Sequence, residues 1–268
     1  MAYGKKLRKM FNGVTLKLED LYVLEPFQIE SLKTMAPRKE FAALMFAHPN
    51  IKDFFINKQP SIVEYIKEIQ EIFGPETNKK ILSEFLDYFL WEIAILIIYN
   101  KYPEIYDQRV ILGWDIKNIT SVVSIKDKIV IDAGAGTGRA AFKAVKDADI
   151  VFAVEPCNNL RNFIRNKADK NKISNLFVID GVLHRIPLPK DFADVLITSN
   201  AIGWKLNEEL IEMERIVKPG GFVIHLLCSD NKDDVNPFKQ DLTSSKWNYY
   251  YSVFENNNDV IVRFWKKI

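Results

Sequence analysis

A glycine-rich segment between an apolar run and a helix-forming run constrains the fold of this 268-residue chain more than any other feature. The apolar run, residues 129–131, leads into Asp132. Glycines then follow at every second position, at Gly134, Gly136 and Gly138. Because glycine lacks a Cβ, its backbone can turn sharply and lie against a ligand. A strand, a glycine-rich turn and a helix N-terminus form the cradle in which α/β proteins hold nucleotide-like ligands, and we expect such a cradle here.

The spacing of the glycines separates this cradle from the one that binds dinucleotides. A dinucleotide fingerprint needs Gly-x-Gly-x-x-Gly, which would place the last glycine at position 139. Arg139 stands there instead. The pattern therefore argues against NAD or FAD, and an NAD-dependent oxidoreductase is the less favoured interpretation.

The second half of the chain alternates short β-branched runs with helical ones, which is typical of a parallel sheet with crossover helices. The predicted strands are Ile129–Asp132, Ile150–Glu155, Leu176–Asp180, Ala193–Ser199 and Phe222–Cys228, and the predicted helices are Arg139–Asp147, Asn159–Lys170 and Asn207–Val217. Two further runs, 247–254 and 260–265, are joined by a short polar segment and predict an antiparallel hairpin. We expect an α/β fold with a Rossmann-like, doubly wound sheet of seven strands, parallel except for this C-terminal hairpin.

The first half of the chain has a helical pattern. Ser61 and Glu64 have the spacing of a capping box, which predicts a helix start there, and the pair Gly74-Pro75 would end that helix. A longer apolar periodicity follows from Ile81 and would end at Pro103. We therefore expect a helical N-terminal cap or substrate region at residues 1–122 and a cofactor-binding domain at residues 123–268.

Polar residues stand at the ends of successive predicted strands. Glu155 ends the second strand, and a carboxylate there can accept hydrogen bonds from both hydroxyls of a ribose. Asp180 ends the third and could accept from an exocyclic amine of adenine. Ser199 and Asn200 end the fourth. The carboxyl ends of parallel strands meet at one edge of the sheet, so these residues should surround one ligand.

Several segments together resemble the class I S-adenosylmethionine-dependent methyltransferases, of the type 11-like kind, over residues 126–268. The segments that carry the resemblance are the glycine loop 132–138, Ala153–Pro156, Val178–Gly181, the stretches 186–189 and 192–195, and the turn 214–221 before the fifth strand. The hairpin is similar to the sixth and seventh strands of that family. Residues 1–120 match no motif of this family.

The resemblance implies S-adenosylmethionine as the cofactor. It implies that Gly134 and Gly136 contact the methionine part, that Glu155 holds the ribose hydroxyls and that Asp180 holds the adenine. The other residues expected to bind the cofactor are Asp132, Ala135, Gly138, Pro156, Gly181 and Ser199, with Ser199 near the sulfonium. The Asn/Asp-Pro-Pro-Tyr/Phe motif of many amino methyltransferases is absent after the fourth strand.

Methyl transfer from a sulfonium depends mainly on orientation and on exclusion of water, and a general base is needed only if the acceptor must first lose a proton. His184 and Asn200 are the candidate catalytic residues, His184 as a base and Asn200 as an acceptor contact. Trp204 is a further candidate contact, whereas His225 lies within a predicted strand and is expected in the core. We expect no metal site, since Cys157 and Cys228 lack the spacing of zinc ligands.

The composition narrows the choice of acceptor. The chain has 37 basic and 35 acidic residues, a net charge of +2, so nothing draws it strongly to nucleic acid or to an anionic membrane. The most apolar stretch, residues 81–99, carries three acids and predicts a buried helix rather than a membrane span. Two cysteines fit a reducing compartment, and we expect a cytoplasmic protein.

The favoured function is methylation of a small molecule; a protein or RNA methyltransferase and a cofactor-binding regulatory protein without turnover are the alternatives.

Overall fold

The structure is a computed structural model that describes residues 3–108, 115–229, 236–256 and 259–268. The chain divides into two compact units, Met1–Tyr106 and Asp107–Ile268. Among the described residues, no helix is long and apolar enough to cross a membrane.

The first unit is built from helices. Its α-helices are α1 (Tyr3–Met10), α2 (Pro26–Met35), α3 (Arg38–Ala47), α4 (Pro49–Lys58), α5 (Val63–Phe73), α6 (Lys79–Glu92) and α7 (Ala94–Lys101), and α8 (Pro103–Asp107) follows at the boundary. Two 3-10 helices, Leu18–Val23 and Pro60–Ile62, join them. The apolar faces meet in a core of fully buried side chains that includes Phe41, Phe55 and Phe89.

Two local predictions for this unit were wrong. Ser61 does not cap a helix, because residues 60–62 form a 3-10 turn and the Ser61 hydroxyl donates to the carboxylate of Glu30 in α2. The long helix from Ile81 is broken at Ile93, which leaves helical geometry between α6 and α7. Pro103 begins α8 rather than simply ending what precedes it, in keeping with the tolerance of proline in a first helical turn.

The second unit contains the predicted seven-stranded sheet. Its strands are β1 (Ile129–Ala133), β2 (Ile150–Val154), β3 (Leu176–Ile179), β4 (Ala193–Ser199), β5 (Val217–Ser229), β6 (Tyr250–Asn256) and β7 (Asp259–Lys267), in the order β3-β2-β1-β4-β5-β7-β6. Strands β1 to β5 pair in parallel, and β7 pairs antiparallel with β5 and β6. The predicted fold class and its terminal hairpin are confirmed.

Helices cover the sheet. They are α9 (Lys117–Thr120), α10 (Ala141–Ala144), α11 (Asn158–Lys170), α12 (Leu206–Ile216) and α13 (Asn236–Leu242). The α10 helix is shorter than the predicted 139–147, and α13 was not predicted. The short α9 packs on the sheet through Ile119, and Arg263 of β7 donates to the carbonyl of Asn118 and to the Ser121 hydroxyl.

The strand order decides where a ligand can bind. After β1, β2 and β3 the chain returns to the other side of β1 to form β4, so the connections diverge between β1 and β4. In open α/β sheets, ligands bind outside the carboxyl ends of the strands at such a switch point. The glycine loop that follows β1 lies at this position.

Candidate functional site

The glycine loop has a backbone that only glycine adopts without strain. Gly134, Gly136 and Gly138 have φ values of 72°, 58° and 77°. The amides of Gly134 and Ala135 both donate to the carbonyl of Val154, at 2.9 and 3.0 Å, which ties the loop to the end of β2. A Cβ on Gly134 would lie 2.4 Å from the Cβ of Ala201, the second residue after β4. The loop is therefore packed between the ends of β2 and β4 at the switch point.

Asp132 is buried beneath this loop. Its side chain is 1% exposed, and its Oδ2 accepts a hydrogen bond from the amide of Ala141 at 2.9 Å. Burial raises the pKa of Asp132 to about 7; the Ala141 N–H opposes this rise and the charge of Glu155 adds to it. Asp132 thus joins the end of β1 to the start of α10 and fixes the entry of the loop.

Glu155, the residue after β2, is also 1% exposed. Its Oε2 accepts from the amide of Gly136 at 2.8 Å, and its Oε1 accepts from the amide of Cys157 at 2.9 Å. These two bonds hold the carboxylate at the carboxyl end of β2, the edge of the sheet where ligands bind in such folds. The position fits the predicted role, and the bond to Gly136 shows that Glu155 also holds the glycine loop.

Asp180 follows β3 and, unlike Glu155, is open to solvent, with 71% of its side chain exposed. Its Oδ1 accepts from Nη1 of Arg161 at 3.0 Å. Gly181 lies behind it in close packing, since a Cβ there would meet Pro187 at 2.8 Å and Val154 at 2.9 Å. Pro156 offers its carbonyl to Arg161 at 2.7 Å. An exposed carboxylate at a strand end is well placed to accept from a ligand amine.

Ser199, the last residue of β4, presents a buried hydroxyl. Its Oγ is shielded from solvent and has no hydrogen-bond partner in the part of the chain that the structure describes. A buried polar atom without a partner is costly and calls for an explanation such as a bound ligand. Together with the tightly packed glycine loop, this hydroxyl makes the edge fit the polar end of a nucleoside-containing cofactor.

Asn200 has a structural bond that its sequence position did not suggest. Its φ is 52°, and its amide oxygen accepts from the amide of Cys228 at 2.7 Å while its amide nitrogen donates to the Cys228 carbonyl at 3.3 Å. The side chain thus imitates one step of sheet pairing between the ends of β4 and β5. A contact between Asn200 and the acceptor stays a prediction.

His184 lies in a tight turn after β3 that is closed by a bridge between Val182 and Arg185. Burial lowers its pKa, and the charge of Lys205 lowers it further, against the opposing charges of Glu208 and Glu209. A histidine with a lowered pKa is neutral at pH 7 and can accept a proton. Burial, with the charge of Lys205, therefore favours the neutral imidazole that the predicted role as a base requires.

The loop between β4 and α12 is held by a residue that sequence reasoning did not single out for the site. Glu209 is 2% exposed and accepts from the amides of Gly203 at 2.7 Å and Lys205 at 3.0 Å. Gly203 has a φ of 121°, and a Cβ there would meet the ring of Phe238 in α13 at 2.7 Å. Trp204, between the two bonded amides, is half exposed. In the sequence, Glu209 is visible only as part of the acidic first turn of α12, a placement that the helix dipole already favours.

His225 is fully buried as expected; its Nδ1 lies 2.8 Å from the Thr198 hydroxyl, and burial lowers its pKa to about 3. Among the described residues, no group of three or more His, Cys, Asp or Glu side chains could hold a metal ion.

Comparison with known proteins finds a methyltransferase domain within the second unit and methyltransferases among the similar proteins. A family model described as "Methyltransferase domain" matches residues 131–225. Histone-arginine methyltransferase CARMER of Drosophila persimilis is 29% identical over 170 residues, which is 60% of this chain and 30% of that protein. The CARMER protein of Drosophila grimshawi is 27% identical over 208 residues, 72% of this chain and 36% of that protein. The chain thus spans about a third of the length of these relatives.

Solved structures with similar folds include a SAM-dependent methyltransferase from Aquifex aeolicus. Its TM-score is 0.47 at 17% identity, and the match covers 63% of this chain and 91% of that one. Precorrin-6y C5,15-methyltransferase from Geobacter metallireducens GS-15 gives 0.47 at 18% identity, over 60% of this chain and 92% of that one.

The matched span begins in β1 and ends in β5, so it contains the glycine loop, both strand-end carboxylates and the loop after β4. The seven-stranded order with its antiparallel hairpin is the sheet that the motifs predicted. The second unit of this chain therefore contains a span similar to methyltransferase domains, and S-adenosylmethionine is the cofactor that this similarity and the fold indicate.

Proposed function

We propose that this chain transfers a methyl group from S-adenosylmethionine to a small-molecule acceptor. The observation that carries the proposal is the glycine loop, packed at the switch point of the sheet within the span that matches the methyltransferase model. A regulatory protein that binds the cofactor without turnover would share this site, and the acceptor experiment below separates the two.

The proposed contacts follow the predictions at each strand end. The backbone of Gly134, Ala135, Gly136 and Gly138 faces the methionine part, above the buried Asp132. Glu155 and Pro156, after β2, hold the ribose end, and Asp180 and Gly181, after β3, hold the adenine. Ser199, at the end of β4 on the opposite side of β1, lies near the sulfonium. The cofactor supplies an activated methyl group, and the protein's part is to orient the two reactants and exclude water.

His184 is the proposed base for acceptors that must lose a proton. Its lowered pKa keeps the imidazole neutral near pH 7, the form that can accept a proton. We propose that Asn200 contacts the methyl acceptor through its backbone or the exposed surface of its side chain, because both polar atoms of its side-chain amide already bond Cys228.

The described residues of the loop after β4, 200–205, include no carboxylate, which favours a small acceptor over a cationic side chain. Recognition of a guanidinium group uses carboxylates in paired geometry. In the described loop after β4, the neutral Asn200 stands at the strand end. The nearby carboxylate of Glu209 is buried, and both its oxygens accept hydrogen bonds from backbone amides. The net charge of +2 also gives nucleic acid no general attraction.

A protein acceptor is the second candidate. It is supported by the curated relatives, which are named histone-arginine methyltransferases and share 27 to 29% identity with this chain. The sequence has two cysteines, too few for a disulfide framework, and we propose a reducing, cytoplasmic setting for the protein. We further propose that residues 1–122 select the acceptor and that residues 123–268 bind the cofactor.

Calorimetric titration with S-adenosylmethionine and S-adenosylhomocysteine tests cofactor binding, which all of the proposed functions require. We expect binding to the wild type and at least a tenfold loss in Glu155→Ala, about 1.4 kcal/mol. Asp149→Ala is the matched control, because this exposed acid precedes β2 at its opposite end and should leave binding unchanged. The absence of any binding to the wild type would contradict the proposal.

A screen with methyl-labelled cofactor then separates the candidate acceptors. Transfer of label to a small-molecule fraction supports the leading proposal, and transfer to histone or other protein supports the second candidate. Cofactor binding without transfer to any acceptor would favour the regulatory alternative.

A further inference from the structure

Arg161 of α11 connects the two carboxylate positions at the ends of β2 and β3. Its Nη1 lies 2.9 Å from the carbonyl oxygen of Glu155, 2.7 Å from that of Pro156 and 3.0 Å from Oδ1 of Asp180. Its Nη2 lies 3.4 Å from Oδ1 of Asn158. One guanidinium therefore contacts the backbone after β2 and the side chain after β3 at once.

The position of this arginine is unfavourable for the helix that carries it. Helix α11 begins at Asn158, so Arg161 lies in or next to its first turn, where the helix dipole favours negative charge. Its side chain is nevertheless only 11% exposed. Because a cation gains nothing from the helix at this point, the contacts with Glu155, Pro156 and Asp180 account for its placement.

Asp180 gains a fixed orientation from this contact. The carboxylate is 71% exposed, and a side chain so open to solvent samples several rotamers unless a partner holds it. The charge-assisted bond occupies Oδ1, and no described residue donates to Oδ2, which remains as the acceptor for a ligand. Register also places this acid beside Glu155, since Val154 pairs with Ile179 and the Glu155 amide donates to the Ile179 carbonyl at 3.1 Å.

We infer that Arg161 is a positioning residue that holds Asp180 in the orientation that reads the exocyclic amine of the cofactor's adenine. The inference rests on the proposed function, since it requires an adenosyl ligand at this edge. A fixed carboxylate accepts from the amine of adenine and repels the carbonyl oxygen that hypoxanthine carries in its place. Without Arg161, the carboxylate turns away, and both affinity and discrimination decrease.

The test is the ratio of dissociation constants for S-inosylhomocysteine and S-adenosylhomocysteine, measured by calorimetry on the full chain. For Arg161→Met we expect about a tenfold weaker binding of the adenosyl ligand and a several-fold smaller ratio. Arg165→Met is the matched control: it lies one turn further along α11 and donates to the Val178 carbonyl, not to Asp180. It should leave the ratio unchanged.

The outcomes are distinct. An unchanged affinity in Arg161→Met, or a loss shared equally by both ligands, would overturn the positioning role, because damage to the fold weakens both ligands alike. If the wild type binds neither ligand, the proposed function itself is wrong. Should Arg161→Met unfold, Arg161→Lys serves instead: its single ammonium cannot span the same oxygens, so the ratio should still decrease.

Discussion

Burial of Asp132 makes the stability of the second unit depend on pH. The folded-state pKa of about 7 lies above the ordinary value of 3.8, so the stabilisation from this group is complete below about pH 4 and is lost as the pH rises through 7. Asp132→Asn cannot ionise, while its amide oxygen can still accept from the Ala141 amide. The melting temperature of Asp132→Asn relative to wild type should therefore increase from pH 5 to pH 8, as followed by circular dichroism. A constant difference across this range would contradict a raised pKa.

Gly134 provides a steric test of the same loop. Alanine there adds a Cβ 2.4 Å from that of Ala201 and must also hold a φ of 72°. We expect Gly134→Ala to lose about 3 kcal/mol of unfolding free energy and most of its cofactor binding. Gly220→Ala is the control, because Gly220 has a φ of 86° but nothing lies within 4 Å of its Cβ position. It should lose only about 1 kcal/mol, and equal losses in urea unfolding would refute the steric argument.

Sequence patterns located residues at the site better than they identified their partners. Glu155 and Asp180 stand at the ends of neighbouring strands as predicted, because strand ends follow from the β-branched runs. The bond from Gly136 to Glu155, and the pairing of Asn200 with Cys228, join residues far apart in sequence, and no local pattern encodes them. Arg161 left one trace, a cation near a helix N-terminus, which the helix dipole does not explain.

Among the elements, the loop from β4 to α12 depends on one buried acid. In Glu209→Gln, the one remaining side-chain oxygen can accept from only one of the two backbone amides. The new NH₂ group, itself a donor, then faces the other backbone amide. We expect a loss of about 1–3 kcal/mol and faster hydrogen exchange at Gly203 and Lys205. Glu208→Gln, at the exposed neighbouring position, should change neither. Unaltered exchange at both amides in Glu209→Gln would show that the loop is held by other contacts.

Element boundaries were predicted best where one local rule decides them. β4 was predicted at its observed bounds, since a β-branched run ends there in polar residues. The helix after the glycine loop is only Ala141–Ala144, although the flanking Ala140 and Val145 also have right-handed helical backbone angles. β5 begins at Val217, before the Pro219-Gly220-Gly221 turn predicted to precede it, and its pairing with β4 shifts register there. Such pairing depends on the neighbouring strand and is absent from the local sequence.

Taken as a whole, the molecule has separate cores for its two units. The clusters around the sheet are formed by residues 116–268, and those of the helical unit by residues 7–102. The sheet of the second unit could be predicted because its strands, the glycine turn and the helices α11 and α12 each carried a local pattern. The role of the first unit could not, because buried helices share one apolar periodicity whatever they do.

These separate cores allow a test of the role proposed for the N-terminal region. A chain of residues 107–268 keeps both clusters around the sheet, so it should fold and bind S-adenosylhomocysteine within about threefold of the full chain, about 0.7 kcal/mol. If the N-terminal region selects the acceptor, the same fragment should lose methyl transfer to the acceptor that the label screen identifies. Calorimetry and label transfer on the two proteins measure these properties independently. Full transfer by the fragment would assign acceptor selection to the second unit alone, whereas loss of transfer with intact binding would place it in residues 1–106.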